Sequence, residues 1–188
     1  MLSVARSLKA VEVPRIAADV IMVTAFAAAT ALGAFVRIPL PGTEIPFTLQ
    51  VYFVLFGALL MGMSRGATSQ TLYVTAGLAG VPVFIGAAPG LAYLAGPTGG
   101  YLIGFIVASV VVAAIAGQGS LLRYILAAFV GAITILTLGT LHQAFVVGKG
   151  LSMAFMTGFL PFAAVDAAKA VLAAVSAWKL RNYCRFSA

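Results

Sequence analysis

The sequence predicts an all-α integral membrane protein, a compact bundle of six transmembrane helices with Pro/Gly-rich external lid loops. Three observations carry that expectation. Of 188 residues, 63% are hydrophobic and only 8% charged, against about 25% charged in an ordinary soluble domain. The apolar residues form continuous runs rather than alternating, which excludes a transmembrane β-barrel. At about 20 residues per span plus short connections, the length allows five or six helices in one domain.

The chain divides into a lead-in over residues 1–15, a single membrane domain over 16–180 and a tail over 181–188. The lead-in, "MLSVARSLKAVEVPR", is polar and basic and lacks the apolar core of a signal peptide; it reads as a short cytosolic segment of amphipathic character. The first apolar run, about 16–36, ends at Arg37. "RIPLPGTEIPFT" follows, and its three prolines and glycine exclude regular helix. A short second run, about 49–63, ends at Ser64-Arg65. The next charge is Arg123, a gap that fits two helices joined by a neutral connection. That connection is "GVPVFIGAAPGLAYLAGPTGGY", dense in proline and glycine, and it separates helices near 67–80 and 101–116. After "GQGSLLR" a fifth run covers about 124–141. The sixth starts near Met156 or Pro161 and ends at Trp178-Lys179.

Orientation follows from the basic residues. With six spans, Arg6, Lys9, Arg15, Arg65, Arg123, Lys179, Arg181 and Arg185 share one side, and only Arg37 and Lys149 fall on the other. Both termini are therefore expected in the cytoplasm of a multi-pass protein of the inner (cytoplasmic) membrane, with the 1–2 and 3–4 connections outside. The formal net charge of +7 is scattered singly and at the chain ends, which argues against nucleic acid as a partner. The single cysteine, Cys184, excludes an intrachain disulfide.

The chemistry concentrates in the sixth run, "PFAAVDAAKAVLAAVSAW". A charge at bilayer depth costs roughly 2.5–3.5 kcal/mol on insertion scales, and this run holds two. Asp166 and Lys169 are three residues apart and so share a helix face. They form either an internal ion pair or an acceptor and donor presented to a polar ligand. The neutral 3–4 connection, with Phe84, Tyr93, Thr98 and Tyr101, is a candidate lid over a pocket or a re-entrant plug. Gln50 is equally a ligand contact or a helix–helix contact, and Arg37 is the cation of the other lid. His142 has no second His, Cys or carboxylate at ligand spacing, which makes it an interface histidine rather than a metal ligand. No nucleotide-binding glycine loop or hydrolase motif is present. In the first run, Ala25, Ala29 and Gly33 recur every four residues, a spacing that lets helices approach closely in lipid. They serve either packing within the bundle or docking of a membrane partner.

The run "FTLQVYFVLFGALLMGMSRGATSQTLYVTAGLAGVPVF", then "GPTGGYLIGF", then "DAAK" in the last helix resembles the BioY family, the biotin-specific S components of energy-coupling-factor transporters. The resemblance covers about residues 17–178. It implies a six-helix bundle that binds biotin from outside under its two lids and has no enzymatic activity or cofactor of its own. It further implies docking through small residues of the first helix onto a transmembrane coupling (T) subunit. Two ATPase subunits, the only ATP sites involved, complete such an assembly. Within that family picture Asp166 accepts from a ureido N–H of biotin while Lys169 donates to the ureido carbonyl. Thr98, Tyr101, Gln50 and Arg37 are candidates for the carboxylate tail; Lys169 binding that carboxylate would reverse the ligand. Two competing readings are an S component for another vitamin and an intramembrane enzyme moving protons through Asp166, Lys169 and His142.

Overall fold

The structure is a computed structural model that describes residues 15–84 and 90–186. The lead-in and its amphipathic character lie outside the described residues, as do residues 85–89 of the 3–4 connection. In chain order the elements are α1 (Arg15–Phe35), a two-stranded ribbon β1 (Arg37–Ile38) and β2 (Phe47–Thr48), α2 (Gln50–Met61), α3 (Met63–Leu78), the short α4 (Leu91–Ala95), α5 (Gly99–Ala116) and α6 (Leu121–Phe145). In the last pass α7 (Leu151–Ala154), a π-helical turn (Phe155–Phe159) and α8 (Leu160–Phe186) run on without a break. Leaving α4 aside, this is a bundle of six helical passes.

Four passes (α1, α5, α6 and the last) are long and apolar enough to cross a bilayer by themselves. α2 is not. Its 12 residues reach about 18 Å at 1.5 Å per residue, against about 30 Å of hydrocarbon. Its far end turns directly into α3 at Gly62, whose φ of 83° and ψ of −175° suit only glycine. The one-residue turn starts the third helix at Met63 rather than near residue 67. At its other end α2 follows the ribbon directly, and the ribbon's Arg37 and Thr48 line a cavity. The prolines excluded helix here, but the antiparallel pairing Arg37↔Thr48 and Ile38↔Phe47 was not part of the sequence expectation.

α5 and α6 form the most extensive helix pair. A Cβ on Gly104 would sit 3.0 Å from Ile135 Cα, so a larger residue there would force the two backbones apart. Contact of this kind gives dispersion energy to helices that gain no hydrophobic drive within lipid. Ala108, Val112, Ala127, Ala128 and Ile135 are fully buried along the seam. α6 starts where the sequence breaks, with the Ser120 hydroxyl capping the Arg123 N–H. α3 buries a stripe of Gly66, Ser69, Gln70, Tyr73, Val74 and Gly77, the spacing of one helix face. Across it the Gln70 amide donates to Thr30 of α1 at 3.1 Å.

The last helix, expected to end at Trp178-Lys179, continues as α8 to Phe186. Arg181 donates to the Gly117 carbonyl at 3.0 Å and to the Tyr124 hydroxyl, which ties the last helix to both ends of the α5–α6 turn. Those anchoring contacts keep the chain helical past Trp178.

Candidate functional site

Asp166 and Lys169 stand on α8, three residues apart on one face and both buried. Lys169 Nζ donates to Asp166 Oδ1 at 2.8 Å, with side-chain exposures of only 6% and 4%. The Asp166 Oδ2 atom makes no hydrogen bond among the described residues. The ammonium also lies 4.0 Å from the centre of the Phe47 ring, a cation–π contact between the last pass and the ribbon.

The pair opens on a cavity of about 670 Å³, a figure that includes its open mouth. Every pass and both lids contribute to its lining. Arg37 and Thr48 come from the ribbon, Gln50 from α2, Tyr73 from α3, Tyr93 and Thr98 from the second lid, and Tyr101 from α5. Ile45, Val51, Leu102, Phe105, Leu136 and Phe162 supply an apolar wall. The cavity therefore combines ionic groups with a wall of hydrocarbon and aromatic ring.

Seven of the eight ligand-contact candidates chosen from sequence share this lining. Phe84 does not. It stacks on Tyr93 with ring centres 4.5 Å apart and meets Tyr73 edge-on at 5.5 Å, so it backs the wall instead of forming it. Gln50 is held from both sides: its amide donates to the Tyr73 hydroxyl at 2.7 Å, and its carbonyl accepts from Thr48 at 3.3 Å. The Tyr101 hydroxyl, a candidate donor to a ligand carboxylate, donates to the Gly158 carbonyl at 2.7 Å. His142 packs on the α5–α6 seam, where a Cβ on Gly100 would lie 2.2 Å from its own Cβ. That is the interface position the sequence suggested.

Several contributors were missed from sequence, Tyr73 and Phe47 among them. Tyr73 belongs to the buried stripe of α3, and the i, i+3, i+4 recurrence of Gly, Ser, Gln and Tyr was a usable signal. Phe47 carried no signal, because its contact with Lys169 depends on the ribbon's fold. Of the docking stripe, Ala25 is exposed and Ala29 half-buried, but Gly33 faces inward. A Cβ there would meet Phe53 at 2.9 Å and the Gln50 backbone nitrogen at 3.0 Å, so Gly33 serves the α1–α2 contact. Lys149 pairs with Glu44 at 3.0 Å, joining the first lid to the segment before the last pass.

A helical membrane bundle with lids beside a partly ionic cavity defines a membrane-embedded binding protein for a small solute. The chain belongs to the BioY family, whose family model matches residues 5–186. A probable biotin transporter BioY of Pyrococcus horikoshii is 36% identical over 166 residues, covering 88% of this chain and 98% of that protein. The biotin transporter BioY of Thermotoga maritima is 37% identical over 158 residues, covering 84% and 92%. Among solved structures, the S-component for biotin from an ECF-type ABC transporter superposes with a TM-score of 0.79 over 89% of this chain and 93% of that one. At 23% identity that likeness establishes the fold.

Proposed function

We propose that the chain is the substrate-binding subunit of a biotin uptake transporter, capturing the vitamin at the lid side and passing it to the cytoplasm without a covalent step. The observation that carries this reading is the buried carboxylate–ammonium pair lining a cavity whose wall also carries apolar and aromatic groups. Biotin has the matching division: a ureido ring with two N–H donors and a carbonyl, an apolar thioether ring, and a carboxylate tail. Asp166 Oδ2 is an acceptor for a ureido N–H, and Lys169 has protons beyond the one given to Asp166. Contacts of this kind, with one partner ionised, are roughly twice as strong as neutral ones. The names of the curated relatives support biotin over another vitamin.

In this reading both termini are cytoplasmic, as the distribution of basic residues implies, and the membrane is the cytoplasmic one. Energy comes from partners: a transmembrane coupling subunit and two ATPases, with the exposed Ala25 and half-buried Ala29 of α1 as the docking surface. Ligand-dependent thermal stabilisation of the detergent-purified protein, with bound ligand identified by mass, tests the substrate. Biotin should raise the melting temperature where thiamine and riboflavin do not. A shift with another vitamin would retire the substrate, and no shift from a folded sample would retire the reading.

A further inference from the structure

Tyr101 is the residue whose position in the cavity disagrees most with its hydrogen bonding. Tyr101 lines the cavity, yet its hydroxyl is engaged on the Gly158 carbonyl, to which it donates at 2.7 Å. The seat is made by two glycines on different passes. A Cβ on Gly139 of α6 would stand 2.3 Å from the Tyr101 ring, and a Cβ on Gly158 would stand 2.7 Å from its hydroxyl oxygen. Neither position can hold a side chain while Tyr101 stays where it is.

Gly158 belongs to the π-helical turn Phe155–Phe159, and the cause of that turn follows two residues later. Pro161 has no N–H to offer the carbonyl four residues back, and its ring crowds that carbonyl. A wider turn relieves the clash, and turns of this kind inside α-helices recur at functional sites. They also change the register of everything downstream: one residue added or removed rotates the following helix by about 100°. Asp166 and Lys169 lie on that following helix.

We propose that Tyr101 is a positioning residue: its hydroxyl, held on the Gly158 carbonyl, fixes the register of the π-helical turn and thereby the face that Asp166 and Lys169 present to the ligand. This rests on the binding role proposed above. It assigns Tyr101 no polar contact with the ligand and gives Gly158, which lines no part of the cavity, a share in affinity.

The test uses Tyr101→Phe and Gly158→Ala, singly and together, in the full-length protein. Tyr101→Phe removes only the hydroxyl; Gly158→Ala keeps the hydroxyl but displaces it. Each single variant should weaken biotin binding about tenfold. The double variant should be no weaker than either single one, because the added methyl then meets no hydroxyl. Amide hydrogen exchange across residues 157–166, measured without ligand, should quicken in both single variants. An unchanged affinity in Gly158→Ala beside a loss in Tyr101→Phe would overturn the proposal in favour of a direct hydroxyl–ligand contact, as would independent, multiplying losses in the double variant. Unchanged exchange in both single variants would also overturn it. Because exchange needs no ligand, it decides the register argument even for a protein that binds no biotin, and so separates this failure from that of the binding role.

Discussion

Two ion pairs in this bundle have nearly the same geometry and opposite surroundings. Arg65 reaches Asp19 across α3 and α1 at 2.6 Å, with side chains 49% and 43% exposed. Lys169 reaches Asp166 at 2.8 Å with both side chains almost wholly enclosed. The shorter pair is the weaker one in consequence. An exposed pair contributes about 0–1 kcal/mol, since its charges are solvated or screened in either state. A buried pair must repay the desolvation of both ions, and apolar residues of similar volume are often as stable. A pair kept under those conditions is better explained by what it binds than by what it holds together.

The largest expected effect comes from breaking the buried pair on one side. Asp166→Asn leaves the Lys169 ammonium enclosed with no counter-charge, a change that costs about 3–5 kcal/mol in comparable sites. Thermal unfolding should fall markedly, and biotin affinity, measured by calorimetry or equilibrium dialysis, should drop at least a hundredfold. Unchanged affinity in a folded variant would remove Asp166 from the contacts. Replacing both residues sharpens the comparison: Asp166→Leu with Lys169→Met should recover much of the stability and none of the binding. If binding returned too, the pair would be structural after all.

The next effect is smaller and concerns the third group at the same centre. Phe47→Leu keeps apolar volume beside Lys169 but removes the ring face 4.0 Å from its ammonium. A cation–π contact of this kind contributes roughly 0.5–2 kcal/mol, so the affinity should fall several-fold and the dissociation rate should rise. An unaltered dissociation rate would mean that the ribbon covers the cavity without holding the charge.

How much of this was legible in the sequence depends on whether a signal is local. Two charges three residues apart in an apolar run stand out because their cost in lipid is independent of the rest of the fold. Prolines and glycines likewise marked both lids without any knowledge of where they close. The α1 stripe was less legible. Four residues of helix turn about 400°, so Ala25, Ala29 and Gly33 drift around the axis. The structure accordingly leaves Ala25 exposed and seats Gly33 against α2. Pro161 suggested a helix start, as proline often does, yet here it follows a π-helical turn within a pass that begins at Leu151.

The smallest effect should come from the exposed pair. Asp19→Asn breaks the shorter of the two contacts, but Arg65 keeps 49% side-chain exposure and can be solvated where it stands. The unfolding temperature should move little, consistent with a loss below about 1 kcal/mol, and biotin affinity should be unchanged. The informative measurement is transport in membranes beside binding in detergent. Asp19 and Arg65 join α1, which carries the proposed docking surface, to α3, which carries Tyr73 into the cavity wall. Unchanged binding with unchanged uptake makes the pair an incidental surface contact. Unchanged binding with slowed uptake would place it in the coupling between α1 and the cavity. A loss of binding itself would contradict the ranking, because it would mean that an exposed pair at the far end of the bundle governs the site as strongly as the enclosed one.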